Sequence, residues 1–470
     1  MKSNNLIIAG LLFAAGTVVG SIELSELPSA KTTSTTPQTS PPTATLQQIE
    51  PETKKPEEKP TPSPEFTNDP KHCVFKTAFE GEGLDKDFFH PIPQKVMTSM
   101  QKGLDWIDEA QQNDGGWGAG SNRNQGIKDP HAVKSDPATT AMVAMALQRC
   151  GNNLQQGSHS KQLNKALEFL LEAVENTPQN STNITTLTYT QPQSKLGQNI
   201  DVVLTSQFLS NILSETENEQ ALKNRVTLAI QKCVAMIENN HNADGSLKGS
   251  GWAGVLQSSF ATSALESAQS NGIKVNEEVI EKSRDFQKGN MDVKTNSVAT
   301  ESAAGVVLYS VSGSARASAK ETREAKEIIK KAKKEGKIQT EDVTVSNLKD
   351  AGLSESTALK YETAYQVNQS AQKLAQDDNV ISGFGNNGGE EFLSYLQTGE
   401  GMIISKDDTW QNWYDKTSAR MLQIQNNDGS WSGHHCITSP VFCTATCLLI
   451  LSVNNDINKL TGNYVNKNID

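Results

Sequence analysis

The stretch Asn426-Asn427-Asp428-Gly429-Ser430-Trp431 follows a run of helical periodicity over residues 410–425 and precedes Thr444-Ala445-Thr446-Cys447-Leu448-Leu449-Ile450-Leu451. Its glycine-bearing stop releases the first helix into a turn. The second helix is apolar nearly all round, and a helix with no polar face has to be buried among others. The two therefore read as a helical hairpin, amphipathic member outside and apolar member inside. The same arrangement stands near the other end of the chain. Residues 102–112 lead into Asn113-Asp114-Gly115-Gly116-Trp117, and a polar loop gives way to Thr139-Thr140-Ala141-Met142-Val143-Ala144-Met145-Ala146-Leu147. In both copies a glutamine precedes the glycine by four residues and a tryptophan follows it by two: Gln111, Gly115, Trp117 and Gln425, Gly429, Trp431. Period, turn and aromatic recur together, which marks an internal repeat.

Between these copies the hydrophobic pattern predicts further hairpins. Outer helices are expected at 92–112, 161–175, 219–239, 277–288, 319–334 and 409–425, each followed by a polar break with Gly or Asn. Inner helices, rich in Ala, Ser, Thr, Leu and Val, are expected at 138–149, 202–214, 256–270, 297–310, 356–374 and 441–453. A glycine-rich segment, 382–392, interrupts the fifth hairpin, and an extra helix is expected at 391–398 between hairpins five and six.

The first copy, Lys102-Gly103-Leu104-Asp105-Trp106-Ile107 followed by Gln111 to Trp117, resembles the Gln-Trp motif of squalene and oxidosqualene cyclases, and the second copy is similar but less complete. The wider resemblance, over residues 92–452, is to the terpenoid-cyclase and prenyltransferase superfamily. It implies an all-α (α/α)6 toroid, six inner helices ringed by six outer ones. It also implies an isoprenoid or other apolar small molecule as ligand in a central cavity, bound or transformed.

Ahead of the toroid, residues 1–21 hold an apolar run from Leu6 to Val19 behind Met1-Lys2, which fits a signal peptide or an uncleaved signal anchor. Residues 22–70, rich in Pro, Thr, Ser, Glu and Lys with hardly an aromatic, read as a disordered spacer. The remaining 71–470 form the toroid domain. The expected location is outside the cytoplasm, in the cell envelope or periplasm, with membrane attachment through the N-terminus if it is retained. A net charge of -11, spread along the chain, argues against a nucleic-acid groove. The one locally basic stretch, 320–337, alternates with Glu321, Glu324, Glu327 and Glu335 and reads as a solvated outer helix.

In such a ring the loops that enter the inner helices gather at one mouth, facing the positive ends of the helix dipoles. Candidate catalytic residues there are Asp136, Glu390 and His434, and candidate ligand-binding residues are His131, Trp252, Phe384 and His435. Cyclases that start by protonation carry Asp-x-Asp-Asp-Thr-Ala at an inner-helix entrance. Here that register reads Asp136-Pro137-Ala138-Thr139-Thr140-Ala141, so the first acid remains, the acidic pair is lost, and Asp136 reads equally as an N-cap. Glu390 with Glu391 reads as a ligand-facing pair or as first-turn acids. No zinc-type Asp-x-Cys occurs, no Gly-x-Ser-x-Gly, and no phosphate loop; no cofactor is expected. His434, His435 and Cys436 are weak metal candidates by ligand type alone. A Cys436–Cys443 disulfide is an alternative. Cys150 and Cys233 read as small buried hydrophobes, and Cys73 as a staple near the start of the body. Two classes of function stand side by side: a ligand-binding or catalytic toroid with a deep apolar cavity, and a structural or protein-interaction toroid whose centre is filled by side chains.

Overall fold

The computed structural model describes residues 91–455 apart from Gln179 and Asn386. The signal or anchor, the spacer and Cys73 lie outside the described residues. Twelve helices alternate along the chain between an outer and an inner layer. The outer members are α1 (Gln94–Glu109), α3 (Ser160–Glu175), α5 (Gln220–Asn239), α7 (Glu277–Lys288), α9 (Glu355–Ala375) and α11 (Trp410–Ile424). The inner members are α2 (Pro137–Arg149), α4 (Ile200–Ile212), α6 (Gly254–Ser270), α8 (Val307–Lys334), α10 (Gly389–Ile404) and α12 (Pro440–Leu451). Each inner helix packs on the next, and α12 packs back on α2, so the ring closes as an all-α toroid.

Burial separates the layers. Every residue of α2, α4, α10 and α12 is buried. By contrast α1 buries Val96, Ser99, Met100, Gly103, Leu104 and Ile107, a single stripe at helical spacing. The two repeat copies start their inner helices alike. Asp136 caps α2 by accepting from Thr139 N, Ser439 caps α12 by accepting from Phe442 N, and each is followed by a proline in the first helical turn.

The turn motif is a staple between neighbouring outer helices. Gln111 Nε2 donates to Gly115 O at 2.8 Å and to Gln162 O of α3 at 3.0 Å; Gln425 Nε2 donates to Gly429 O at 2.8 Å and to Ser99 O of α1 at 2.9 Å. The tryptophans follow suit. Trp117 Nε1 donates to Ile107 O and Trp431 Nε1 to Met421 O, while their backbone N–H groups donate to Thr140 and Thr444 on the inner helices. Trp431 wedges against Gly103 of α1, where a Cβ would meet the indole at 2.8 Å. Gly115 and Gly429 have φ of +89° and +93°, and a Cβ on either would strike the backbone of Lys165 or Lys102 on the next outer helix, so only glycine serves. A third copy, in which no tryptophan remains, lies at Asn242-Ala243-Asp244-Gly245-Ser246-Leu247. Gly245 has φ +89° and abuts Lys282 of α7, Asn242 N donates to Ser246 O, and Leu247 N donates to Ser258 Oγ of α6.

The fifth hairpin departs from expectation. Of the expected fourth inner helix (297–310) only residues 307–310 are in the long helix, the rest being strand Ser297–Val298, paired with Met291–Asp292, and a short 3-10 turn, whereas the expected fifth outer helix (319–334) is the second half of the same 28-residue helix, α8. Composition changes from Ala and Ser to Lys and Glu near residue 320. All four types are tolerated in a helix and no proline intervenes, so the helix runs on. The segment expected as the fifth inner helix, 356–374, is the outer helix α9, burying one stripe through Ala364, Val367, Asn368, Ala371 and Ala375. The supposed extra helix at 391–398 is the inner helix α10, buried throughout. Its glycines hid that role: at Gly399 a Cβ would lie 2.5 Å from the Trp413 ring. Beyond the ring α8 continues into an arm with its own small core of Ala325, Ile329, Ala332, Ile338, Val343, Leu348 and Ala358. Among the described residues no helix is long and apolar enough to cross a membrane.

Candidate functional site

The loops that enter the inner helices do meet at one face, tied by short bridges between Ser121 and Thr190, Gly197 and Ser250, and Gly388 and His435. Polar side chains from the first turns of the inner helices hold these loops by their backbone. Asp136 accepts from Ala119 N at 2.8 Å, Gln257 of α6 from Asn199 N at 2.9 Å, Glu390 from Ile437 N at 3.1 Å and Glu391 from Phe384 N at 2.9 Å. Asp201, on α4, accepts from Gln193 Nε2 at 2.8 Å and from Ala138 N at 3.2 Å.

Four of the candidates converge. Trp252 and Phe384, exposed by 47% and 56%, meet edge to face with centroids 6.0 Å apart, and Phe384 meets the His435 ring at 5.5 Å. Lys195 Nζ lies 4.7 Å from the centroid of the Trp252 ring, on its face. Beneath this aromatic shelf Glu391 accepts the Tyr309 hydroxyl at 2.6 Å, and its other oxygen stands 4.0 Å from His435 Nε2. Glu390 and Glu391 are wholly buried, and Glu390 Oε1 and Glu391 Oε2 have no hydrogen-bond partner among the described residues. The glycines of residues 383–388 make the shelf possible. A Cβ at Gly388 would lie 2.4 Å from Glu391 Oε2 and 2.7 Å from His435 Cε1.

Burial and then the neighbouring Glu391 push the Glu390 carboxyl up to about 7. Burial also raises Asp136, with the nearby Asp201 adding to it, and burial raises Asp201 against the pull of its Gln193 and Asn183 bonds. The Cys436 thiol is pushed up to about 12, by burial first and Glu390 second, which removes it as a nucleophile at neutral pH.

The other candidates stand apart. Asp136 sits at the entrance of α2 with both oxygens committed, to Ala119 N, Thr139 N and the Thr139 hydroxyl. His131 is exposed and bonds Glu109 O at the end of α1. His434 is exposed, its backbone N–H donating to Asn387 O, and it is not part of the aromatic shelf. The trio His434, His435 and Cys436 therefore does not converge, and among the described residues no group of three or more His, Cys, Asp or Glu is placed to hold a metal. The alternative, a Cys436–Cys443 disulfide, is not formed: both thiols are free, and Cys443 Sγ donates to Ile437 O. Lys195, Tyr309 and Asp201 went unrecognised in the sequence. Asp201, a lone carboxylate inside an apolar run, was the only one with a visible signal.

Residues 91–189 match the family model of the squalene-hopene cyclase C-terminal domain. The chain is similar to the terpenoid-cyclase and prenyltransferase toroids. No curated protein sequence matches it. Among solved structures, the type II terpene cyclase MstE from Scytonema in its apo form aligns at 12% identity over 77% of this chain and 99% of that one, with a TM-score of 0.42. MstE complexes with geranylgeranyl dihydroxybenzoate, its substrate, and with merosterolic acid A, its product, align at 12% and 11% identity. They cover 77% of this chain and 98% and 97% of those chains, with TM-scores of 0.39 and 0.43.

Proposed function

We propose that this toroid binds an isoprenoid-like apolar molecule at its mouth, received on Trp252 and Phe384 with His435, Glu390 and Glu391 beneath. The observation that carries the reading is the pair of exposed aromatic rings, meeting edge to face over buried carboxyl groups. Apolar surface with a few convergent polar groups is the usual make-up of a ligand site. The family match over residues 91–189 supports the ligand class. The reading stops short of cyclisation started by protonation. An alkene needs a strong acid, whereas burial makes Asp136, Asp201 and Glu390 weaker ones.

A second reading, a structural or interaction toroid at the cell envelope, is favoured by one feature. Arg149 of α2 reaches Glu400 of α10 at 3.6 Å, Glu400 lies 3.8 Å from Arg316 of α8, and Arg316 lies 3.7 Å from Glu266 of α6. Because α2 and α10 are not neighbours in the ring, this network runs through the interior that a long apolar ligand would occupy. Both readings place the body outside the cytoplasm, with the apolar run from Leu6 to Val19 in support.

Titration of the full chain with geranylgeraniol, followed by tryptophan fluorescence, separates the two. Saturable quenching that disappears in Trp252→Ala is expected for the first. Normal circular dichroism with no binding, and no lipid retained from envelope extract by mass spectrometry, would leave the second.

A further inference from the structure

His434 and His435 are adjacent in sequence and serve different places. His435 meets Phe384 edge to face, while His434 lines a groove of about 490 Å³ at the seam where the last hairpin's loop meets the first. That volume falls within the roughly 300–1,000 Å³ of small-molecule sites. Lys128, Asn426, Ser432, His434 and Thr438 line it. Its lining includes no carboxylate, in a chain with a net charge of -11.

The ammonium of Lys128 is held by neutral oxygens alone. It donates to Thr438 O at 2.7 Å and to Gly433 O at 3.5 Å, and among the described residues no carboxylate stands within ion-pair distance. A lysine has three N–H donors, so one is uncommitted. Burial depresses its pKa, as expected for a cation without a counter-ion. Ser432 Oγ accepts from Asn426 Nδ2 at 3.0 Å, which leaves its hydroxyl proton to donate into the groove. An ammonium, a hydroxyl and an imidazole thus face one space that lacks a negative charge.

We propose that this seam groove binds a small ligand through an anionic oxygen group, a carboxylate or a phosphate, held by Lys128, Ser432 and His434. It is a second site, beside the aromatic shelf and independent of what binds there. Calorimetric titration of the full chain at constant ionic strength, with inorganic phosphate in one arm, succinate in another and chloride as control, tests it. Saturable binding of at least one oxyanion is expected, and the anion that binds assigns the class. Lys128→Met should weaken it about tenfold, the scale of one charge-assisted hydrogen bond. His434→Gln alters an exposed side chain, so it keeps the test valid if the lysine variant disturbs the seam; it should weaken binding several-fold and leave geranylgeraniol quenching unchanged. Heats equal to chloride for both anions, or affinities unaltered in both variants, would overturn the proposal.

Discussion

The two ends of the ring bury the same kind of side chain in opposite ways. At the far end Glu266 and Glu400 lie among Arg149, Arg284 and Arg316, and although burial alone would raise Glu266, Arg284 and Arg316 outweigh it and hold its carboxyl below the usual range. At the mouth Glu390 and Asp136 have backbone N–H groups and, for Asp136, the Thr139 hydroxyl as partners, no cation among the described residues stands within ion-pair distance, and burial prevails. One end is an ionised clasp, while the other favours protonated carboxyl groups. The toroid is thus built to be rigid where inner helices end and responsive where they begin.

The sharpest way to break the comparison is Arg316→Met, which leaves Glu266 and Glu400 buried with a partner removed. It should cost about 3–5 kcal/mol in urea unfolding, the scale for one half of a buried ion pair. A loss below about 1 kcal/mol would mean that water reaches the network.

Next in size is the pH dependence. Glu390 titrates at about 7 in the fold against 4.5 as its ordinary value. The fold prefers its neutral form, so its contribution is whole below the unfolded value and is lost as the pH rises through 7, a change on the order of 3 kcal/mol. Glu266 works the other way, its contribution being present above the ordinary carboxylate range and lost as the pH falls through its lowered value. Unfolding free energies between pH 5 and 8 should therefore decline in the native chain and decline less in Glu390→Gln. Equal slopes would show that the mouth acid is already hydrated.

The smallest effect sharpens the same point. At pH 5 Glu390→Gln should change stability by less than about 1 kcal/mol, because an amide oxygen still accepts from Ile437 N and the carboxyl it replaces is already neutral. A large loss there would assign the carboxylate a role that Ile437 does not explain.

Much of the ring was legible because its signals are local. Gln111, Gly115, Trp117 and Gln425, Gly429, Trp431 mark the turn itself, and α2 and α12 are apolar on every face. The fifth hairpin was not, since the roles of α8, α9 and α10 depend on what packs around them: Gly399 looks like a breaker until Trp413 fills its space. At the site, Trp252, Phe384, His435 and Glu390 were found through loop composition, because glycines and exposed aromatics mark close approach. Tyr309 reaches Glu391 from a helix placed in the wrong register, and Lys195 reaches Trp252 across two loops, so neither pairing is written in any one segment.

The closure of α12 onto both α1 and α2 means that the ring has no privileged first helix. Since α12 ends at the face where α1 begins, a short linker could join residue 455 to residue 92, and new termini could be opened in the arm at residues 336–343, outside the ring. Such a circular permutant would keep all six hairpins and both staples, and the order of synthesis would then be separable from the order of assembly.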